Sequence, residues 1–235
     1  MRRITGLVLV AAAVALLLSA CNNFIPAQTL NNPLGLNGQS LTLNTISTAA
    51  LGTQATTHTA VFQGSLSTTI QDPDLSQVPG WAHPNGFSTG IDAGSVVLRP
   101  GDATTLPSSL TVTRTQVSLG LTDGNGSPSL TWTDDTGATA QQLLTLTRAS
   151  SCGATTAAGC TYTVQAGPDL QGALEQVTLT SAQTSTLWTI LGGGASQDDV
   201  SLDATVTAIS TDMAVPSGTQ MVITLDDAQG TLTFH

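Results

Sequence analysis

The chain has 235 residues, with five Arg, no Lys and fifteen acidic residues, and a formal net charge of −10 at pH 7. A surface of that sign repels nucleic acid and anionic lipid head groups, which excludes DNA and RNA as partners. Charged residues make up only 9% of the chain, but the 40% that are hydrophobic are too many for a chain held open by polarity, so disorder is excluded too.

Arg2 and Arg3 give a positive start, Ile4 to Leu18 an apolar run, and Ser19-Ala20 a pair of small residues before Cys21. Residues 1–20 thus have the three parts of a secretory signal. The run is shorter than the roughly 20 apolar residues of a membrane-spanning helix. Leu18-Ser19-Ala20-Cys21 resembles the lipobox of bacterial lipoproteins, a resemblance confined to the beginning of the chain. It implies that the Cys21 thiol takes a diacylglyceryl group, that the chain is cut before Cys21, and that the new amine is acylated. Several acyl chains anchor stably where one binds only marginally. The implied location is the cell envelope, with the membrane as partner through the lipid. Asn22 stands where the family's inner-membrane retention signal has Asp, which points to the outer membrane. The processed chain keeps Arg99, Arg114 and Arg148 against fifteen acids, a formal charge of −12.

Residues 21–38 read as the lipidated Cys and a flexible tether, because Asn, Pro and Gly dominate (Asn31-Asn32-Pro33, Gly35, Asn37-Gly38) without sustained periodicity. A flexible segment of this length holds its ends on the order of 20 Å apart. Residues 39–235 read as one β domain.

Within that domain, alternation of period two recurs. Leu41 and Leu43 begin it, and Ala60, Phe62, Gly64, Leu66, Thr68 and Ile70 make one long face. The segment from Asp72 to Gly94 then reads as a long loop punctuated by Pro and Gly, a kind that is often functional. It carries Trp81, His83 and Phe87 in a chain only 3% aromatic, and is the candidate binding loop for a glycan or another envelope protein. The favoured reading of the rings themselves is that Trp81 and Phe87 fold back and cap one end of the domain. Gly86-Phe87-Ser88-Thr89-Gly90 also matches the G-x-S-x-G of a hydrolase nucleophile elbow. An elbow needs a strand before the Ser and a helix after it, and the residues following this one lead into a strand.

Val96 and Leu98 start that strand, and Pro100-Gly101 stops it. Leu110 and Val112 share one phase while Val117, Leu119 and Leu121 have the opposite one, which requires a bulge or turn near 114–116. Asp123-Gly124-Asn125-Gly126 offers oxygens to Ca²⁺ but lacks the spaced carboxylates of a calcium loop. Asp198-Asp199 and Asp226-Asp227 are suggestive in the same limited way. Asp135-Thr136-Gly137 matches the D-T-G of aspartic proteases, yet Asp134 sits where those enzymes have an apolar residue, so a polar hairpin turn is the expectation. Strands follow at Leu130 and Trp132, Leu144 and Leu146, Tyr162 and Val164, and Val177 and Leu179.

Cys152 and Cys160 flank a small-residue loop bounded by Gly153 and Gly159. Outside the cytoplasm such a pair is expected to oxidise, and a ring this short restricts the unfolded chain by roughly 2.5 kcal/mol. No His lies near enough to make the pair a metal site, His58 and His83 are isolated, and no motif calls for a cofactor.

Ser181 reads as the N-cap of a short helix over 181–191, ended by Gly192. Val200, Leu202, Ala204, Val206 and Ala208 give the clearest alternation, and Met221, Ile223 and Leu225 are expected to pair with Leu232 and Phe234 through a turn at 226–230. The fold class is therefore all-β, an antiparallel β-sandwich with one short helix. Two smaller modules divided near 123–128 are the alternative.

The functional expectation is a non-catalytic, lipid-anchored envelope protein with a binding or structural role. The alternatives are an envelope hydrolase, or an assembly or transport accessory with an apolar pocket. Cys21→Ser should abolish globomycin-sensitive processing and release the protein from membranes; a variant still sedimenting with membranes would refute the anchor.

Overall fold

A computed structural model describes residues 25–50, 57–71, 78–79, 82–101, 105–136, 142–152, 159–166, 175–193, 197–227 and 229–234. The strands among them are β1 (Gln28–Leu30), β2 (Ser40–Ala50), β3 (His58–Ile70), β4 (Pro84–Arg99), β5 (Ser109–Asp123), β6 (Ser129–Thr136), β7 (Leu144–Arg148), β8 (Cys160–Ala166), β9 (Glu175–Leu179), β10 (Asp198–Ser210), β11 (Gln220–Asp227) and β12 (Gly230–Phe234), with one helix, α1 (Ser181–Leu191), after β9. The fold is all-β and antiparallel, as the alternation predicts.

All twelve strands join one sheet in the order β1-β12-β4-β11-β2-β3-β10-β5-β7-β8. Val96, Val97 and Leu98 of β4 then pair with Tyr162, Thr161 and Cys160 of β8, which closes a ring of eight strands. The two layers of the sandwich are therefore continuous. The turn at 123–128 joins β5 to its partner β6, and β10 pairs with both β3 and β5, so the two halves of the chain interleave rather than forming separate modules.

Two long strands each carry two short ones end to end. β5 pairs with β7 over 109–112 and with β6 over 115–122. β4 pairs with β8 over 96–98 and with β9 over 87–91. The ring thus closes through β7 and β8 at one end, while at the other α1 packs against β4, β5, β6 and β9 and fills the space between them. Thr180 rather than Ser181 caps the helix, through a reciprocal pair with Gln183, and Gly192 follows its last turn. Thr184, Leu187, Ile190 and Leu191 are buried, and Trp188 meets Phe234 edge to face at 6.3 Å.

The predicted phase change in β5 is a bulge. Thr207 of β10 faces Arg114 while Ala208 faces Val112, which leaves Thr113 as the extra residue. Leu110 and Val112 before it, and Val117, Leu119 and Leu121 after it, all reach the core.

Three further sequence expectations need correction. β11 and β12 do not form a hairpin: they lie end to end along the same side of β4, with Gln220 opposite Arg99 and Thr231 opposite Ser88. The stretch 84–94 is strand rather than loop, paired with β12, β9 and β11. Residues 25–38, read as part of a flexible tether, are folded. β1 pairs with β12, and Leu30, Leu34 and Leu36 are buried, drawn in by turns at Asn32 (φ 48°) and Gly35 (φ 64°). The apolar residues there are too few to make a period, but they suffice to bury the segment.

At the end of the ring that contains Ser109, two loops are tied together. Asp212 accepts hydrogen bonds from the Ser108 backbone amide and the Ser210 hydroxyl, each at 2.6 Å. Burial pushes its carboxyl up, but these bonds and those from the backbone outweigh it and hold the pKa at about 2. The folded value lies below the ordinary Asp value, so the stabilisation is present at neutral pH and is lost as pH falls towards 2. After allowance for solvent screening the contribution is on the order of 1 kcal/mol. Asp212→Asn should lower the melting temperature by about 2–4 °C at pH 7, and the gap should narrow between pH 4 and pH 2; a gap constant across that range would contradict this account.

Candidate functional site

Outward-facing residues of β3, β10, β5 and β6 stand directly opposite one another in rows. Gln63, Thr205, Gln116 and Asp135 form one row, and Ser65, Asp203, Ser118 and Thr133 the next. The first row continues through Asn44, opposite Gln63, and Gln220, opposite Asn44, to Arg99. Cross-strand partners point to the same face, so register alone gathers these amides, hydroxyls and carboxylates from six strands. Alternation explains their polarity, since the intervening residues Val117, Leu119, Leu202, Ala204 and Val206 are buried.

The two rows border a groove of about 540 Å³, lined in part by Gln63, Gln116, Ser118, Thr133, Asp203 and Thr205. A second hollow of about 480 Å³ lies further along β3, β10 and β5, beside Ser67, Thr69, Thr122, Asp199 and Ser201. Gly120, opposite Ser201 and Thr131, places no side chain in the row between them. The rim is organised by a two-point ion pair in which Arg114 Nε donates to Asp135 Oδ1 at 2.7 Å and Nη2 donates to Oδ2. Gln116 Nε2 adds a bond to the same carboxylate at 3.2 Å, and Gln220 Nε2 donates to Asn44 Oδ1 at 3.1 Å. The hydrogen bond from Arg114, with its charge, holds the Asp135 carboxyl below the usual carboxylate range. Asp135 is thus a fixed anion on strand β6 rather than one of a proton-sharing pair in a turn.

The residues singled out in the sequence do not converge. Cys21 and Trp81 lie outside the described residues. His83 is exposed just before β4. Phe87 is buried, and a Cβ at Gly230 would stand 2.9 Å from its ring, so it belongs to the core and not to a binding loop. Ser88 stands mid-strand between Thr178 and Thr231, so its G-x-S-x-G forms no elbow. Cys152 and Cys160 form a disulfide, Cα atoms 5.6 Å apart, at the start of β8.

Asp123 and Asp198 are brought together as cross-strand partners and both are buried. Asp123 also receives the Asn125 amide at 2.7 Å. Asp226 lies within β11 opposite Asp92, whose carboxyl is pushed up by burial and by the Asp226 charge. Among the described residues no group of three or more His, Cys, Asp and Glu is placed to hold a metal ion. The sequence reading missed the groove residues because alternation gives the phase of a strand and not its neighbour. The detectable signal was Gln116, Ser118 and Thr122, interrupted only by Gly120, and the run of Asp, Ser and Thr at every second position of 199–207.

No protein-family model and no curated protein matches the chain. Similar solved structures include TmCBM61, a carbohydrate-binding module in complex with β-1,4-galactotriose, at 7% identity and a TM-score of 0.24, over 85% of this chain and 95% of that one. The VP2 subviral particle of infectious bursal disease virus has 10% identity and a TM-score of 0.16, over 89% of this chain and 41% of that one. At TM-scores this low the likenesses carry no argument.

Phe87→Ala should cost about 3–5 kcal/mol of stability, the loss typical of a truncated core aromatic. An unchanged melting temperature would return Phe87 to the surface.

Proposed function

We propose that the chain is a non-catalytic, lipid-anchored protein of the cell envelope whose domain holds an uncharged, hydroxyl-rich glycan in the groove across β3, β10, β5 and β6. The observation that carries this reading is the row Gln63–Thr205–Gln116–Asp135 beside Asp203 and Ser118. Amides offer donors and acceptors together, hydroxyls offer both, and the carboxylates accept from sugar hydroxyls. Asp134, Asp135 and Asp203 along the groove disfavour an anionic glycan.

The anchor rests on the lipobox at Leu18 to Cys21, and Asn22 favours the outer membrane as its destination. Ser88 within a strand weighs against the hydrolase reading. A contiguous core of Leu, Val, Ile and Phe packed inside the ring weighs against an accessory with an apolar cavity.

The test is a neutral-oligosaccharide array probed with the detergent-solubilised lipoprotein. Net hydrogen bonds contribute about 0.5–1.5 kcal/mol each, so Gln63→Ala with Gln116→Ala should weaken binding by roughly tenfold or more. Binding that the double variant leaves unchanged, or no binding by the unaltered protein, contradicts the reading.

A further inference from the structure

The place where the chain enters the fold is fixed by β1. Gln28 lies opposite Leu232, and β12 runs on to Phe234 opposite Pro84. Moving from Gln28 towards the amino terminus therefore leads past the carboxyl end of β12 and the start of β4. Antiparallel pairing puts the end of β3 at Ile70 and the start of β10 at Asp198 at this same end, together with His83 before β4. Ala50, Arg99, Ser109, Arg148, Cys160, Ser210 and Gln220 mark the opposite end.

Ile25 is already packed against the core. Only Asn22, Asn23 and Phe24 separate it from Cys21. At about 3.3–3.6 Å per residue, the covalent reach from the Cys21 Cα to that of Ile25 is at most about 14 Å. β10 alone has thirteen residues and so spans on the order of 40 Å. A lipid on Cys21 cannot leave the domain free to tumble at a distance, nor can it reach the far end.

We propose that the end of the domain where Ile25, the exposed His83, the start of β4 and the end of β12 come together faces a membrane and lies against the lipid head groups, with the Cys152–Cys160 disulfide and residues 211–219 at the opposite end. The proposal rests on the reading of Cys21 as lipidated. The occupant is a lipid surface because the length of chain outside the fold, and the point where it ends, leave room for nothing larger between the two. The charge distribution narrows the choice of lipid. Arg99 and Arg148 stand at or near the far end and Arg114 is tied to Asp135, while Asp199 is exposed on the near half of β10. The near end therefore suits a zwitterionic leaflet better than an anionic one. In this orientation the polar groove opens sideways, parallel to the membrane.

The test uses the full lipidated protein in phosphatidylcholine vesicles containing a rhodamine-labelled lipid. With Cys21 acylated and Cys152 joined to Cys160, His83→Cys and Ser217→Cys, both at exposed positions, each supply one reactive thiol for a donor dye. Energy transfer to the lipid should be severalfold stronger from position 83 than from position 217. Twenty Gly/Ser residues inserted after Asn23 should erase that difference. Equal transfer from the two positions without the insert, stronger transfer from 217, or an asymmetry that survives the insert overturns the proposal. Absence of an acyl mass on Cys21 in the starting material marks failure of the lipid reading instead, and removes the basis of the orientation with it.

Discussion

β4 must satisfy its backbone on both sides along sixteen residues, and the whole arrangement follows from how it does so. One side takes β12 and then β11; the other takes β9 and then β8. No single strand of ordinary length covers either side. The pairing with β8 also turns an open sheet into a ring, which removes two edges that would otherwise present unpaired amides and carbonyls to another chain. The ring can then be filled by Leu, Val and Ile from every strand, with Tyr162 donating its hydroxyl to the Pro107 carbonyl where the core meets a loop. Burial pushes that phenol up to about 12, so it stays protonated throughout the physiological range.

Closure also decides what the outside looks like. Side chains that do not enter the ring stand in rows across neighbouring strands, and in a chain with so few charges those rows are made of Thr, Ser, Gln and Asp. A solvated sheet needs only polar residues there. The concentration of amides at Asn44, Gln63, Gln116 and Gln220 in one register is the feature that turns a solvated face into a candidate ligand surface. The same register fixes where β1 leaves the sheet, so the proposed ligand face and the proposed membrane-facing end follow from one arrangement.

Side-chain phase was legible in the sequence because it depends on consecutive residues alone. The slip between Val112 and Val117 required a bulge, and Thr113 is that bulge. Ser181 as a cap signal and Gly192 as a stop made α1 legible, to within one residue at its start, where Thr180 paired with Gln183 is the cap. The Cys152–Cys160 pair was legible from its short spacing. Pairing was not legible, because neighbouring strands are chosen by closure of the ring and not by any local pattern. Asp226 to Gly230 looks like a hairpin turn, yet β4 holds β11 and β12 in line. Leu30, Leu34 and Leu36 follow no period and looked like tether. The stretch 84–94 looked like loop because Gly86, Gly90 and Gly94 interrupt its strand with turn-like residues. The groove rows depend wholly on pairing, so they were the least visible of all.

The ring stands or falls on the short contact between β4 and β8, and amide hydrogen exchange measured residue by residue reads that contact directly. In a closed ring, every amide from Val96 to Leu98 is bonded to β11 or to β8, so all three should exchange slowly. Rapid exchange at alternate residues of 96–98, with matching rapid exchange on the β4-facing amides of 160–162, would show an open edge there and contradict the closed sheet.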